Sequence, residues 1–411
     1  MKNLTIKEIR KVLVDELKDY VGEPVLLDID GKILSKILFD TYKDDDDIEY
    51  KKFSEEIYSV IKKIDFSNVS FDNFKASGVS FVGYKGVKIN PQTVAYKDLS
   101  CSTLQGVTFI GTFDGVNIVY TNFYGSKGAV INPQTIHNKD MHSAILSSAI
   151  FIGPFDKVNI RYADFTGSKG AVINPSRVDG KSLESVDLCD TIVTGSFKNV
   201  KLYNTSFEGA KSKNSEYIKI NPQKVLQKAI MSCILKGVEF TGSFDGVYCS
   251  NNNFKGSVGA VINPLMLSNK SLRGNKFADV TFDGSFDGKE INEVSFEGST
   301  GAVINPQKVA YKFLGGCNFS SVTFIGPFDD CNICYSSFEG SNGALIDPQT
   351  VWTKTLNWVN LKDAIVIDDF DGVETSCMKF DEELLVDRYN MDNEESKKYC
   401  IGKIKESVRR K

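Results

Sequence analysis

Residues 128–136 read Gly-Ala-Val-Ile-Asn-Pro-Gln-Thr-Ile, and variants of this phrase recur along the chain. Its Asn-Pro or Asp-Pro pair is found at Asn90-Pro91, Asn132-Pro133, Asn174-Pro175, Asn221-Pro222, Asn263-Pro264, Asn305-Pro306 and Asp347-Pro348. The steps between successive pairs are 42, 42, 47, 42, 42 and 42 residues. A fixed period of this length is typical of stacked-repeat architectures, so the phrase predicts the fold before any local signal is considered.

A second, five-residue rhythm runs inside each unit. The large apolar residues of three units are Leu99, Leu104, Phe109, Phe113, Ile118 and Phe123; Met141, Leu146, Phe151, Phe155, Ile160 and Phe165; and Leu314, Phe319, Phe324, Phe328, Ile333 and Phe338. A small or β-branched residue stands two positions before most of them, as Val107 and Ala149 do. Neither a helix nor a flat strand repeats every five residues. The rhythm predicts a square coil in which each side points one large and one small side chain inward.

Several five-residue blocks resemble those of the pentapeptide-repeat proteins. They are Ile64-Asp65-Phe66-Ser67-Asn68, Val69-Ser70-Phe71-Asp72-Asn73, Ala163-Asp164-Phe165 and Cys317-Asn318-Phe319. The resemblance covers most of residues 64–370 and implies a right-handed, four-sided parallel β-helix, a mainly β solenoid. Coils of that family have about twenty residues, so each 42-residue unit would form two of them. The whole stretch of 64–370 would then form about 14 to 15 coils.

The Gly-Ala-Val-Ile-Asn-Pro phrase interrupts the five-residue rhythm once per unit. Val130 is predicted to lie in a strand, followed by a turn in which Pro133 fixes φ and Asn132 satisfies backbone groups. Recurrence at one point of every second coil predicts a ladder of asparagines, Asn132, Asn174, Asn263 and Asn305, along one edge. We interpret that ladder as turn chemistry rather than as a row of ligand-binding residues.

The residues on either side of the repeat predict short helical caps. Residues 1–63 contain the capping-box pattern Thr5-Ile6-Lys7-Glu8, and apolar residues at helical spacing predict helices over 6–20 and 50–63. The acidic run at 44–47 lacks the alternating ligands and the turn glycine of a calcium loop, which favours a solvated loop.

Residues 371–411 also predict a helix, because Asn393-Glu394-Glu395-Ser396 resembles an N-terminal cap and Tyr399, Ile401, Ile404 and Val408 form an apolar stripe. This C-terminal region can be a cap over the last coil. Alternatively, it can form a homodimer through a terminal helix, a mode of pairing that the family resemblance implies.

Composition and charge exclude several classes of partner. Hydrophobic residues make up 41% and charged residues 25% of the chain, as in ordinary soluble proteins. Residues 64–370 hold 28 acidic and 28 basic side chains, which gives no electrostatic case for nucleic acid or an acidic membrane as partner. The N-terminal residues 1–22 are charged throughout, no apolar run approaches the length of a membrane-spanning helix, and the nine cysteines have no paired spacing. We therefore expect a cytoplasmic protein with free thiols and no membrane span.

No group of residues in the sequence is typical of a catalytic, metal or cofactor site. Cys331 and Cys334 form a CxxC pair without the second pair or the histidines that zinc requires, and Cys331 falls on an inward small position. His137 and His142 have no acid or nucleophile at a defined spacing, and no phosphate-binding loop is present. Four aspartates, Asp156, Asp245, Asp287 and Asp329, recur with the repeat and are predicted to form turns. The sequence predicts no catalytic residue, no metal and no cofactor.

The single 47-residue step marks the candidate site. Its five extra residues lie within Gly209–Tyr217, and loops inserted into repeat proteins often lie on the functional face. The candidate partner-binding residues are Lys211, Ser212, Lys213, Asn214, Ser215 and Glu216.

Three functions can be considered from the sequence. The leading hypothesis is a non-enzymatic scaffold that presents the faces of a rigid solenoid to a partner protein. The alternative comes from the family resemblance, because some members mimic DNA and bind type II topoisomerases such as gyrase; the neutral central stretch speaks against the acidic surface this requires. An enzyme or toxin activity in residues 1–63 is disfavoured, because that region is short and lacks His and Cys.

Overall fold

The computed structural model describes residues 66–67, 70–368 and 370–379. The predicted helices of 1–63 and the helical part of 371–411 lie outside these residues, so they stay predictions. The chain divides into two compact units. The first unit comprises the described residues up to Gly195 together with Gly209–Asn214, and the second comprises Ser196–Glu208 and the described residues from Ser215 onward.

Both units are built from very short parallel strands and single turns of 3₁₀-helix. In chain order the strands are β1 (Lys88–Ile89), β2 (Thr108–Phe109), β3 (Val130–Ile131), β4 (Ile150–Phe151), β5 (Val172–Ile173), β6 (Ile192–Val193), β7 (Leu202–Tyr203), β8 (Lys211–Ser212), β9 (Ile218–Ile220), β10 (Ala229–Met231), β11 (Val238–Phe240), β12 (Tyr248–Ser250), β13 (Val261–Ile262), β14 (Thr281–Phe282), β15 (Val303–Ile304), β16 (Thr323–Phe324), β17 (Leu345–Ile346) and β18 (Ile365–Val366). The 3₁₀-helices are Ala95–Lys97, His137–Lys139, Asp179–Lys181, Pro222–Lys224, Leu226–Lys228, Pro264–Met266, Pro306–Lys308, Ala310–Lys312 and Trp352–Lys354.

Each strand pairs in parallel with the strand of a neighbouring coil. In the first unit β1 pairs with β2, β3 with β4, and β6 with both β5 and β8. In the second unit β10 pairs with β7 and β12, β9 with β11, β13 with β14, β15 with β16, and β17 with β18. Both units are therefore parallel β-solenoids, which confirms the fold class predicted from the five-residue rhythm.

Shorter and longer coils alternate along the chain. Thr103 pairs with Asn122 across a shorter coil, and Asn122 pairs with Ile145 across a longer one. The second unit repeats this alternation, because Ile230 pairs with Cys249 and Asn253 pairs with Lys276. One shorter and one longer coil together make up the 42-residue step between successive Asn-Pro pairs.

The interior of each coil is filled by the large apolar residues of the five-residue rhythm. One inward column consists of Leu99, Ile118, Met141, Ile160 and Leu183 in the first unit, and Leu202, Ile230, Cys249, Leu272, Ile291, Leu314, Ile333 and Leu356 in the second, all buried. A second column is rich in phenylalanine, and its rings contact one another, as Phe254 and Phe277 do with ring centroids 5.7 Å apart. Burial of each such ring removes a large apolar area from water and is the main favourable contribution to folding.

The Asn-Pro turns join neighbouring coils through side chains. The Asn132 Oδ1 atom accepts a hydrogen bond from the Gln134 backbone amide at 3.0 Å, and all seven turns of this kind show the same contact at 2.9–3.2 Å. The Gln134 side chain then donates to the carbonyl oxygens of Pro154 and Asp156 in the next coil, both at 2.9 Å. The asparagines thus serve in turns. They do not stack directly on one another, because a glycine of the intervening coil, such as Gly153, lies against each of them.

The glycine that opens the phrase is required by a close approach between coils. Gly170 has φ of +73°, and a Cβ atom at this position would lie 2.6 Å from the carbonyl oxygen of Phe151. Gly128, Gly259 and Gly343 meet the preceding coil in the same way, each with a Cβ position 2.7 Å from a phenylalanine carbonyl oxygen. Only glycine combines the left-handed backbone with this approach.

One turn of the second unit departs from the pattern. In the turns at 225–228 and 309–312 the lysine amide donates to the valine carbonyl three residues earlier, and the last two residues have positive φ. Neither Asn269 nor Lys270, both of which the structure describes, has positive φ. The carbonyl oxygens of Leu267 and Asn269 instead accept hydrogen bonds from the Lys289 ammonium at 3.1 and 2.7 Å. Lys289, only 6% exposed, occupies the inward position that Val116, Val158 and Val247 hold in other units.

We expect Gly170→Ala to lower the free energy of unfolding by about 2 kcal/mol or more, since it adds a backbone clash to the cost of a left-handed alanine. Gly180→Ala is the matched control: Gly180 also has positive φ, +57°, but no atom lies within 4 Å of its Cβ position. The control should lose about 1 kcal/mol. Urea unfolding of both variants measures the difference, and equal losses would contradict the close approach.

Lys289 predicts a pH dependence of stability. Burial lowers the pKa of its ammonium below the ordinary 10.5. Between the lowered pKa and 10.5 the unfolded chain therefore binds more protons than the folded one, so stability rises with pH in this window. Relative to Lys289→Met, the wild-type protein should gain stability as the pH approaches 10.5. Urea midpoints measured from pH 8 upward test this, with Lys276→Met as an exposed-lysine control; parallel curves for wild type and Lys289→Met would contradict it.

Candidate functional site

The structure defines the bounds of the inserted segment more closely than the sequence does. Lys211 and Ser212 lie in β8 and pair with Ile192 and Val193, as Lys169 pairs with Ile150 one unit earlier. Regular pairing resumes at Ile218, whose strand β9 pairs with β11. The five extra residues are therefore 213–217, and the prediction that Lys211 and Ser212 belong to the loop is corrected: their backbone is held in a strand, because their side of the coil keeps its register.

The remaining candidate residues are exposed in bends between these two strands. Lys213 and Asn214 belong to the first unit, whereas Ser215 and Glu216 belong to the second. The Ser215 hydroxyl donates to the carbonyl oxygen of Tyr217 at 2.5 Å. The Glu216 carboxylate beside Tyr217 raises the pKa of that phenol. A partner-binding role for this loop stays a prediction.

Lys211 lies in a row of lysines that sequence reasoning missed. Lys85, Lys127, Lys169 and Lys211 recur every 42 residues on the first unit, all exposed, and we call them the lysine row. Lys127 pairs with Thr108 on the outer strand face, as Lys169 and Lys211 pair with Ile150 and Ile192. The equivalent positions of the second unit hold Val258, Thr300 and Asn342. The 42-residue recurrence of the lysines could have revealed the row, but the neutral total charge of residues 64–370 conceals it.

Apolar side chains lie beside the lysine row. Val130, Ile150 and Val172 point outward from β3, β4 and β5 and are 37–39% exposed. Ile110 and Ile152, which follow β2 and β4, are each 63% exposed. The outer strand face of the first unit therefore combines periodic positive charge with exposed β-branched side chains.

Exposed aromatic side chains form stacks on both units. In the first unit the His142 ring lies between Tyr120 and Tyr162, with centroid distances of 5.2 and 5.1 Å, and the Tyr162 hydroxyl donates to Glu184 at 3.4 Å. In the second unit Tyr335 and Trp358 stack with centroids 6.3 Å apart and planes 8° from parallel. We call these two groups the aromatic stacks. They were also missed, because coils of unequal length place their members at unequal sequence intervals.

The tyrosines and the tryptophan of both stacks occupy one kind of coil corner. Tyr120, Tyr162, Tyr335 and Trp358 each follow an inward residue by two positions and have φ between +57° and +62°. A side chain at such a corner points away from the coil while its backbone is held by coil-to-coil hydrogen bonds, for example from the Tyr120 amide to the His142 carbonyl at 2.9 Å. His142 is thus half-buried at the surface, and His137 is exposed in a 3₁₀-helix.

The residues that sequence analysis considered for chemistry take structural positions. Cys331 is buried, and burial raises the pKa of its thiol to about 12. The Asp156 carboxylate forms an ion pair with Arg177 at 2.6 Å. The carbonyl oxygen of Asp156 accepts a hydrogen bond from the Gln134 side chain, and the carbonyl oxygen of Asp329 accepts one from the Gln307 side chain. Within the described residues no three His, Cys, Asp or Glu side chains are grouped closely enough to hold a metal ion. In the same part of the chain no helix is long and apolar enough to cross a membrane.

Among known proteins, the matches to this chain come from solved structures. No family model and no curated protein sequence matches the chain. Nine chains of solved structures match. One of them is HetL, a pentapeptide repeat protein involved in heterocyst differentiation regulation from the cyanobacterium Nostoc sp. strain PCC 7120, which is 12% identical over 65% of this chain and 81% of its own, with a TM-score of 0.15. The assignment of a parallel β-solenoid rests on the strand pairing described above.

The thiols predict a pattern of chemical labelling. Cys101 and Cys377 are exposed, whereas Cys233, Cys249 and Cys317 are buried, which raises the pKa of Cys233 to about 11 and of the other two to about 12. We expect iodoacetamide at pH 8 to modify the two exposed cysteines in the folded protein and the three buried ones only after unfolding, because the thiolate is the reactive form. Peptide mass mapping reads each site, and modification of Cys249 under native conditions would contradict the packing.

Proposed function

We propose that this protein is a non-enzymatic scaffold that binds a partner protein through exposed side chains on its coils. The observation that carries the proposal is the pair of aromatic stacks, in which Tyr120, Tyr162, Tyr335 and Trp358 stand exposed on a backbone held by neighbouring coils. Tyrosine and tryptophan dominate the binding energy of protein interfaces. Their rigid support reduces the entropy that association would otherwise cost.

The repeat architecture supports the same function. Solenoids present extended surfaces, and loops inserted into their repeats often lie on the binding face. The exposed bend of Lys213, Asn214, Ser215 and Glu216 is the one place in the described chain where a repeat is lengthened. We propose that it adds specificity for the partner, because exposed polar side chains of both charges can accept and donate hydrogen bonds at the rim of an interface.

The alternative of a DNA mimic that binds a type II topoisomerase finds no support from these surfaces. Mimicry of a duplex requires a strongly acidic stripe. The outer strand face of the first unit instead carries Lys85, Lys127, Lys169 and Lys211. We therefore propose the scaffold function alone, and capture of gyrase is one of the results that its test can give.

Affinity capture from a lysate of the source cells tests the scaffold. The full chain should retain one protein in stoichiometric amount, and Tyr120→Ala/Tyr162→Ala should weaken its binding about tenfold or more, since each aromatic anchor contributes on the order of 1 kcal/mol. Tyr96→Ala/Tyr124→Ala is the matched control, because both tyrosines are exposed on the first unit but outside the aromatic stack. A variant lacking residues 213–217 restores a 42-residue unit and tests the loop separately.

Three results would contradict parts of this proposal. Capture of no protein would contradict the scaffold itself. Equal capture by the wild type, by Tyr120→Ala/Tyr162→Ala and by the variant lacking residues 213–217 would contradict the proposed contacts. Specific capture of gyrase or topoisomerase subunits, with retained binding in the tyrosine variant, would replace the proposal by the topoisomerase alternative.

A further inference from the structure

We infer that the outer strand face of the first unit docks an extended acidic segment of a partner protein, with the lysine row contacting its carboxylates. The inference rests on the proposed scaffold function and names the chemistry of one contact. The outer strand face has nine outward positions on which the inference is based: Lys88, Thr108, Lys127, Val130, Ile150, Lys169, Val172, Ile192 and Lys211. None of the nine is acidic, although the central stretch as a whole is neutral.

The lysine row is not a requirement of the fold. The same positions in the second unit hold Val258, Thr300 and Asn342, and the strands there pair in the same way. Among the ion pairs of the described residues, none includes a member of the lysine row. The charges are therefore available to an external anion.

A second periodic set of lysines differs from the lysine row in its contacts and in its extent. Lys97, Lys139, Lys181, Lys228, Lys270, Lys312 and Lys354 also recur with the repeat, but they continue through both units. Lys97, Lys139 and Lys354 donate to the glutamine side chains of their own turns at 2.7–2.9 Å. These lysines are part of the turn structure, whereas the lysine row is confined to the first unit.

The spacing selects an extended peptide as the occupant. Successive members of the row are two coils apart, roughly 10 Å at the usual separation of neighbouring strands. A polypeptide in the extended polyproline II conformation has three residues per turn and rises about 3.1 Å per residue, so carboxylates on every third residue would lie on one face roughly 9 Å apart. Val130, Ile150, Val172 and Ile192 lie between the lysines and would receive the apolar residues of such a segment.

Recognition at this face must use side chains. The strand amides already donate to neighbouring coils, for example Ile150 to Ala129 and Ile152 to Ile131, so the face has no unpaired edge for a peptide to extend. A nucleic acid strand is disfavoured, because no aromatic residue stands among the nine outward positions to stack on a base. The exposed β-branched residues would also gain little from a phosphate backbone.

Fluorescence anisotropy with the full chain tests the inference. The probe is a labelled 15-residue peptide of repeated Glu-Val-Thr, and the comparison probes are a shuffled peptide of equal composition and a 15-nucleotide single strand. We expect the periodic peptide to bind more tightly than either comparison and to weaken at high salt. Lys127→Gln/Lys169→Gln/Lys211→Gln should weaken its binding about tenfold, because each lost ion pair contributes roughly 0.5 kcal/mol.

Lys97→Gln/Lys139→Gln/Lys181→Gln is the matched control, since it removes equal charge with equal period from the same unit. Equal losses in the two triple variants, equal binding of the shuffled peptide, or tighter binding of the oligonucleotide would each overturn the inference. The peptide assay needs no captured protein. If a lysate partner is retained by the lysine-row variant but lost by the tyrosine variant, the scaffold stands and this inference fails.

Discussion

The coil-to-coil backbone pairing is the constraint on which every other feature depends. Each strand contains only two or three residues, and its amides find their acceptors in a neighbouring coil, so the bonds within one coil are confined to its turns. The register must therefore be kept over the shorter and the longer coils alike. Glycine at the start of the phrase, the Asn-Pro turn and the glutamine contact to the next coil are local solutions to this one requirement. At the altered turn of residues 267–270 the Lys289 ammonium takes part in this joining of coils, because it donates to the carbonyl oxygens of Leu267 and Asn269.

The interior could be predicted from sequence because it repeats. Leu99, Leu104 and Phe109 are buried as the five-residue rhythm predicts, whereas neither the helical period nor the strand period brings all three to one face. The Asn-Pro turn could also be predicted, since proline and asparagine favour it for intrinsic reasons. The contact that Gln134 makes with the next coil could not, because it joins residues 20 and 22 positions apart that no local rule connects.

Lys289 could not be predicted for a different reason. In sequence it is one lysine among many, at a position where a β-branched residue is usual. Its role depends on a second departure, the altered turn at 267–270, whose carbonyl oxygens it satisfies. A buried amine and an irregular turn are each unfavourable alone. Together they are compatible, and only the three-dimensional arrangement shows that they belong together.

The outer surface is determined neither by the five-residue rhythm nor by the intrinsic turn preferences of proline and asparagine. Function was therefore harder to infer than fold. Outward side chains leave the coil register unchanged, so selection on binding can alter them freely. The lysine row keeps the 42-residue period only in the first unit, where Lys127, Lys169 and Lys211 stand in place of the Val258, Thr300 and Asn342 of the second. The aromatic stack of the first unit joins side chains of three successive coils, and its sequence intervals are unequal because the coils differ in length. Departures from the repeat that the interior does not require are therefore the residues at which binding function should be sought.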